Sequence, residues 1–446
     1  MVTIFRKHEV RRHVAGVRTT LGDARLTDVI RRAAEQIPGD GDAAAKVAGQ
    51  LPAVDEAPAS SGTQGAESPY FSRSPLVSLV QSEVAEAGGR PARKPGVWGW
   101  IAGHLEKLFH LQPGTFQSDD PEWYLGIARA VLERIALGNH AFNPVPAVHE
   151  IAPDSRLVVV GDWGTGLPRA RDVAGLMHEE IADGLTAGRQ VHVIHLGDIY
   201  YSGLESEDRK NFLDVWPVTR EQSDAGVTSW CLNGNHDMYG GGYGYFRTVL
   251  ADPRFVQQRS PDGKPTSFFR LQSKDWEFLG LDTSWDPDVV SKGEVGVLED
   301  PQSEFVTEVA DASTAKLVLF SHHQLVSVYD EADVGPALRT KLAGVLDADR
   351  VTAWWWGHEH RAITYTAAGG VHYPRCLGNG GVPVLLDPPP PAAGRDRIEW
   401  RSTRSIESEG GHWTRFGFAV IDLDGASLTV RYRDDDGATP HTETVG

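Results

Sequence analysis

The chain has 446 residues, with 43 Lys and Arg against 61 Asp and Glu, 17 His and 2 Cys. At ~100–200 residues per domain this length accommodates two or three domains, with ample chain to bury a core. The net charge of −18 argues against non-specific binding to nucleic acid or to an anionic membrane, but not against a local positive site.

Cys231 and Cys376 stand outside any CxxC pair and cannot build a disulfide framework, which fits a reducing compartment. The first twenty residues, MVTIFRKHEVRRHVAGVRTT, lack the apolar run of ~7–15 residues of a secretion signal. No segment approaches the ~18 apolar residues of a membrane span. The expectation is a cytoplasmic protein.

Residues 1–150 are expected to form a mainly helical N-terminal extension. LTDVIRRAAEQI reads as helix, and about 52–69 reads as a flexible linker rich in Pro, Ala, Ser and Gly. Trp98, Ile101, Leu105 and Leu108 then fall on one face of a helix, more readily buried against a neighbouring domain than laid on a membrane. A second helix is expected to begin with Asp120 as N-cap and Pro121 at its first position. It runs through Leu125, Ala128, Leu132 and Ile135 to a stop at Gly138.

Residues 151–446 have a different character. Five segments, RLVVVGDWG, VHVIHLGD, SWCLNGNHD, AKLVLFSHH and VTAWWWGHEH, are each an apolar run leading into Gly, Ser or His and polar residues. Such runs are the pattern of strands buried on both faces. A helical pattern, ARDVAGLMHEEIADGL, separates the first two and predicts a β-α-β unit. FGFAVIDLDGASLTVRYR alternates about an Asp-Gly turn and predicts a hairpin, while the four prolines before it place LLDPPPPAAGRDR in a surface loop. No repeat of ~20–50 residues is evident.

The five runs end in Asp162; Asp198 with Tyr201; Asn235, His236 and Asp237; His322 and His323; and His358 and His360. In open α/β sheets the groups at the carboxyl ends of neighbouring strands converge on one crevice. Mixed oxygen and imidazole ligands without thiolate suit Mn, Fe, Zn, Ni or Co, and a carboxylate able to bridge favours two ions ~3.5–4 Å apart. Gly161, Gly197, Gly234 and Gly357 are expected to supply the tight turns that end the strands. Taken singly, a Gly-Asp after an apolar run is more often a turn or cap, GNHD could be an Asn/Asp turn and GHEH a surface turn. The ordered set is what carries the inference. Gly138-Asn139-His140 also spells GNH, but it follows a helix and precedes Pro144 and Pro146, so His140 receives no catalytic role.

The ordered set GDWG, GDIYY, GNHD, a strand ending in His322, and GHEH resembles the calcineurin-like metallophosphoesterases over about residues 155–380. Gly164, where most of that superfamily has a metal-binding His, and Tyr201 resemble its purple acid phosphatase branch. The resemblance implies a four-layer α/β/β/α sandwich of two mixed sheets with metals at the strand ends. It assigns one metal to Asp162, Asp198, Tyr201 and His360, and the other to Asp198, Asn235, His322 and His358, with Asp198 bridging. In that branch the pair is Fe with Zn, Mn or Fe; if Tyr201 is only a core residue, two Mn or two Zn ions fit instead.

The implied reaction is attack of a metal-bound hydroxide on a phosphomonoester or small phosphodiester. His236 would protonate the leaving alkoxide, with Asp237 either orienting its ring or serving only as a turn residue. His323 would contact substrate phosphate or support the ligands from behind. The Gly-rich YGGGYGYF segment closes over substrate or merely connects, Asp282 supports the site from behind, and the three tryptophans pack the sheet rather than stack a base. The alternatives are a nuclease or cyclic-nucleotide phosphodiesterase of the same superfamily, or a non-catalytic binding protein with a retained metal site. The expected partner is a small phosphorylated substrate rather than nucleic acid or membrane; the oligomeric state is left open.

Overall fold

The computed structural model describes residues 138–200, 203–285, 296–329, 336–384, 386, 394–408 and 411–446, together with the short pair 71–72 and 113–114. The linker at 52–69, the three helical stretches predicted ahead of Gly138, Tyr201 and the proline run 388–391 lie outside the described residues.

The strands of the two large sheets are β1 (Ala147–Glu150), β2 (Arg156–Val160), β3 (Val191–His195), β4 (Thr228–Cys231), β5 (Phe269–Gln272), β6 (Trp276–Leu281), β7 (Lys316–Ser321), β8 (Val351–Trp356), β9 (Ala362–Tyr365), β10 (Val371–Leu377), β11 (Ile398–Arg401), β12 (Gly417–Asp424), β13 (Ser427–Asp434) and β14 (His441–Val445). One sheet has six strands in the order β14-β13-β12-β2-β3-β4 and the other eight, β11-β9-β10-β8-β7-β6-β5-β1. Both are mixed: β2, β3 and β4 run parallel while β12 pairs antiparallel to β2, and β10, β8, β7 and β6 run parallel between antiparallel neighbours. The five predicted runs are therefore divided, three to the six-stranded sheet and two to the eight-stranded one. The eight-stranded sheet also takes in β1, from the stretch read in sequence as the N-terminal extension.

The period-2 geometry of a strand sends alternate side chains to opposite faces, and the two sheets use both. Leu157 and Val159 of β2 meet Ile194, Trp230, Phe278, Phe320 and Trp355 in a core between the sheets. Val158 and Val160 face the other way, onto Val173, Met177 and Ile181 of α1 (Pro168–Thr186), the helix of the predicted β-α-β unit. On the far side, Leu319, Trp354 and Trp356 pack on Val306 and Val309 of α2 (Asp300–Ala312). The result is the four-layer α/β/β/α sandwich. Trp354, Trp355 and Trp356 are all fully buried, divided between the inter-sheet core and the outer layer, and cannot form a stacking platform. The hairpin stands as expected, with Asp424 opposite Ser427 across Gly425 and Ala426. Cys231 and Cys376 are buried free thiols. Among the described residues no helix is long and apolar enough to cross a membrane.

Candidate metal centre

The carboxyl ends of the two sheets meet at one seam. Asp162 follows β2, Asp198 follows β3 and Asn235 follows β4, all from the six-stranded sheet; His322 follows β7, and His358 and His360 follow β8, from the eight-stranded sheet. Asp162, Asp198, Asn235 and His322 are at most 1% exposed, and His358 and His360 at most 3%. Asp162 ties the sheets together, because its Oδ2 accepts the backbone N–H of His358 at 2.6 Å.

The backbone at this seam is strained. Only five non-glycine residues among those described have positive φ, and four are Asp162 (54°), Asp198 (67°), His358 (68°) and His360 (52°). A β-carbon makes this left-handed region unfavourable, and such residues persist where surrounding structure holds them. The glycines act differently from the expectation. Of Gly161, Gly197, Gly234 and Gly357 only Gly197 has positive φ, at 99°. Gly234 and Gly357 instead make room: a β-carbon on either would collide with the carboxylate of Asp198 or Asp162, respectively. The ligand turns and the glycine yields space.

The hydrogen bonds fix which atoms face inward. Nδ1 of His322 lies 3.1 Å from the Leu196 carbonyl, which can only accept, so Nδ1 carries the proton of the neutral ring. The lone pair on Nε2 then faces Asn235 Oδ1 at 3.0 Å, His358 Nδ1 at 3.1 Å and Asp198 Oδ2 at 3.3 Å. The Asn235 amide is held in this sense because its Nδ2 donates to Tyr239 Oη at 2.6 Å. These atoms can turn their lone pairs toward one spot that a cation would occupy, and the donor set (carboxylate, amide oxygen and two imidazoles) is a transition-metal set. A proton can take that place instead: burial disfavours charge on His322, yet Asp198 overrides it and pushes the imidazole up to about 9, so a metal ion there would displace the Nε2 proton. Asp198 is lowered despite its burial by His322 and His236.

A second spot shares Asp198. The hydroxyl of Tyr200 lies 3.0 Å from Asp162 Oδ1, 3.2 Å from Asp198 Oδ2 and 3.0 Å from His360 Nε2, and His360 Nε2 is 3.3 Å from Asp162 Oδ1. The residues fit two cations with Asp198 between them. The phenol described in this place is that of Tyr200; Tyr201, to which the sequence motif pointed, lies outside the described residues. Alternation cannot decide between adjacent tyrosines in a turn, and the GDIYY spelling offered no further signal.

The remaining candidates surround these two spots. His236 is fully buried, with Nε2 4.0 Å from Asp198 Oδ2 and its ring against Tyr200 and Tyr239. Asp237 does not orient that ring: its carboxylate accepts the backbone N–H groups of Asp198 (2.9 Å), Ile199 (3.2 Å) and Gly234 (2.6 Å), bracing both acidic loops. Burial and the charge of Asp198 push its own pKa up to about 8. His323 sits beside His322 and His358, near enough for the three to form a possible ligand cluster. The hydroxyl of Thr283 accepts the His323 N–H at 3.1 Å and lies 3.0 Å from its Nδ1. Asp282 shapes the turn that brings Thr283 there, accepting from the N–H groups of Ser284 and Trp285.

Sequence reading missed Tyr200, Tyr239 and Thr283. Tyr239 stands four residues after Asn235, the spacing that puts two side chains on one side of a helical turn, and could have been found on that ground. The Tyr239–Phe246 stretch is packed rather than loose, with Tyr239, Tyr243, Tyr245 and Phe246 buried. His140 stacks on Phe246 at 4.3 Å, away from the metal centre.

Residues 155–362 match the family model described as calcineurin-like phosphoesterase. The matched stretch takes in the strand ends that carry the site just described. Similar solved structures include GAP50, the anchor in the inner membrane complex of Plasmodium, at 14% identity over 66% of this chain and 89% of that one, with a TM-score of 0.46. A dimetal phosphatase from Danio rerio aligns at 15% identity over 66% and 99%, TM-score 0.42. Vps29 from Entamoeba histolytica complexed with zinc aligns at 12% identity over 65% and 98%, TM-score 0.27. At such identities and scores no residue role or activity is carried over from them. No curated protein matches the chain.

Proposed function

We propose that this protein is a dinuclear metal-dependent phosphoesterase of the purple acid phosphatase-like kind, hydrolysing a phosphomonoester or small phosphodiester. The observation that carries the reading is the convergence of His322 Nε2, Asn235 Oδ1, His358 Nδ1 and Asp198 Oδ2 on one point, with Asp198 shared by a second cluster of Asp162, His360 and a phenol. Asp162, Asp198, Tyr200 and His360 would hold one ion, and Asp198, Asn235, His322 and His358 the other. Two bound cations would supply charge neutralisation and Lewis acidity for an in-line displacement at phosphorus. A phenolate favours a trivalent ion, so Fe with Zn, Mn or Fe is the proposed pair, and two Mn or two Zn ions the alternative if neither Tyr200 nor Tyr201 ligates.

The protein's own groups then divide the work. Asp237 holds the Asp198 and Asn235 loops through three backbone N–H groups. His236, buried between Tyr200 and Tyr239, delivers a proton from Nε2 to the leaving alkoxide. His323 donates from Nε2 to a non-bridging oxygen of the phosphate, in the tautomer in which the Thr283 hydroxyl, which accepts the His323 backbone N–H, turns its own hydrogen to Nδ1. Two buried free cysteines accord with a cytoplasmic site of action.

The test is metal analysis of the purified protein together with hydrolysis of a chromogenic phosphomonoester and its diester counterpart, before and after chelation. Metal near two per chain and activity lost on chelation are expected. No hydrolysis of either ester with any of these metals would sink the reading in favour of a binding protein with a retained site.

A further inference from the structure

A recess beside the metal centre has the composition of a second ligand subsite. Arg361, Asn379, Arg401, Ser402, Arg415 and Tyr329 contribute to its lining. Topology puts it on the catalytic end of the molecule. β10 runs parallel to β8, β9 and β11 alternate against it, and β12 runs antiparallel to β2. The start of β9, the ends of β10 and β11 and the start of β12 therefore all lie level with the strand ends that carry Asp162 and His358. Arg361 directly follows His360. Asn379 directly follows Gly378, at which a β-carbon would come within 2.7 Å of Asp162 Oδ2.

Several of its polar groups make no hydrogen bond to the described protein. Asn379 is 3% exposed, and among the described residues its Oδ1 has no hydrogen-bond partner; nor do the buried atoms Ser402 Oγ and Tyr329 Oη. Three such orphans in one recess call for a bound polar group, because an unmet buried donor or acceptor costs about 1–3 kcal/mol. The cations point the same way. Arg415 is committed to Asp435 at 3.0 Å and Asp436 at 3.4 Å. Arg361 is stacked on Tyr329, 4.1 Å from the ring centroid, and among the described residues neither it nor Arg401 has a carboxylate partner. In a chain carrying a net charge of −18, two guanidinium groups that line one recess without an acidic partner among the described residues are conspicuous.

We propose that this recess binds a second anionic group of the substrate, a phosphate remote from the scissile one. The inference rests on the phosphoesterase reading and deepens it: the preferred substrates would be small bisphosphorylated polyols. Arg361 and Arg401 engage the remote phosphate as charge-assisted donors, the Ser402 and Tyr329 hydroxyls donate to it, and Asn379 Oδ1 accepts from a neighbouring hydroxyl of the polyol.

The test compares glycerol 1-phosphate with glycerol 1,3-bisphosphate on the full metal-loaded chain. The bisphosphate should show a KM lower by about tenfold or more, the scale of a hydrogen bond to a charged group, beyond the statistical factor of two for its equivalent phosphates. Arg401→Gln should collapse that preference by raising KM for the bisphosphate, and Arg401→Lys should restore part of it. Equal KM values in the wild type, or a preference that survives in Arg401→Gln, would overturn the proposal. If neither compound is hydrolysed, the phosphoesterase reading is what has failed. Calorimetric titration with the bisphosphate then decides the subsite: affinity lost in Arg401→Gln upholds it, and equal affinity in the two proteins overturns it.

Discussion

The two sheets make unlike contributions to one site. The six-stranded sheet delivers oxygen ligands, Asp162, Asp198 and Asn235, whereas the eight-stranded sheet delivers the imidazoles of His322, His358 and His360. Neither half is a metal site by itself, so the centre is a property of how the sheets are docked. Asp198 is where the halves depend on each other most, being the carboxylate common to both clusters. Asp198→Ala is therefore expected to have the largest effect, abolishing bound metal and activity together. Elemental analysis showing about two metals per chain in that variant would refute the bridging role. His236 belongs to the six-stranded side but ligates nothing in this scheme, so His236→Ala should retain both metals and lose rate by ~10²–10⁴-fold. An unchanged kcat would remove it from the mechanism.

Docking can be broken from a distance as well. Trp355 packs between the sheets and Trp354 packs on the outer helical layer, although they are adjacent and equally buried. Each tryptophan truncated to alanine should cost about 3–5 kcal/mol of stability. Trp355→Ala should reduce metal affinity and kcat well beyond Trp354→Ala, because only Trp355 sets the spacing of the two halves. Denaturation midpoints and activity measured side by side decide this; equal activity losses would mean that the seam is not governed by the inter-sheet core. A smaller effect is expected at the phenol. Tyr200→Phe should weaken metal binding by about 10–100-fold and remove any phenolate-to-iron colour, with Tyr201→Phe leaving both intact. The reverse result would return the ligand to Tyr201.

Much of this was legible in the residues. An apolar run ending in glycine and a polar group needs no tertiary information to be recognised, and six of the proposed ligands, Asp162, Asp198, Asn235, His322, His358 and His360, were named that way. The Asp424–Gly425 hairpin and the β-α-β helix were equally local. What local pattern could not show is long-range. Nothing in the runs says that three belong to one sheet and two to another, since both are buried on both faces and look alike. Asp237 reads as a partner for its neighbour His236, but its carboxylate is captured by the N–H groups of Asp198 and Ile199, some forty residues back in the chain. The left-handed backbone of the ligands is likewise invisible, because Asp and His enter that region more readily than most residues but only tertiary contacts decide which of them do.

The histidines sharpen the comparison between the strand ends and the strand bodies. At the seam Asp198 pushes His322 up to about 9. In the body of β3, His192 is bonded to Thr228 Oγ1 at 2.7 Å, and burial with the nearby His149 pushes it down to about 3 from an ordinary 6.5. Below pH ~6.5 the unfolded chain takes up a proton on His192 that the folded chain refuses until about pH 3. Unfolding is thus favoured as pH falls through that window, by at most about 1.4 kcal/mol per pH unit for this one group. His192→Gln should flatten the dependence of stability on pH between about 6.5 and 4, whatever it does to absolute stability at neutral pH. Denaturant unfolding of the metal-free protein at several pH values measures the slope. An identical slope in the variant would mean that His192 takes up its proton as readily in the folded chain as in the unfolded one.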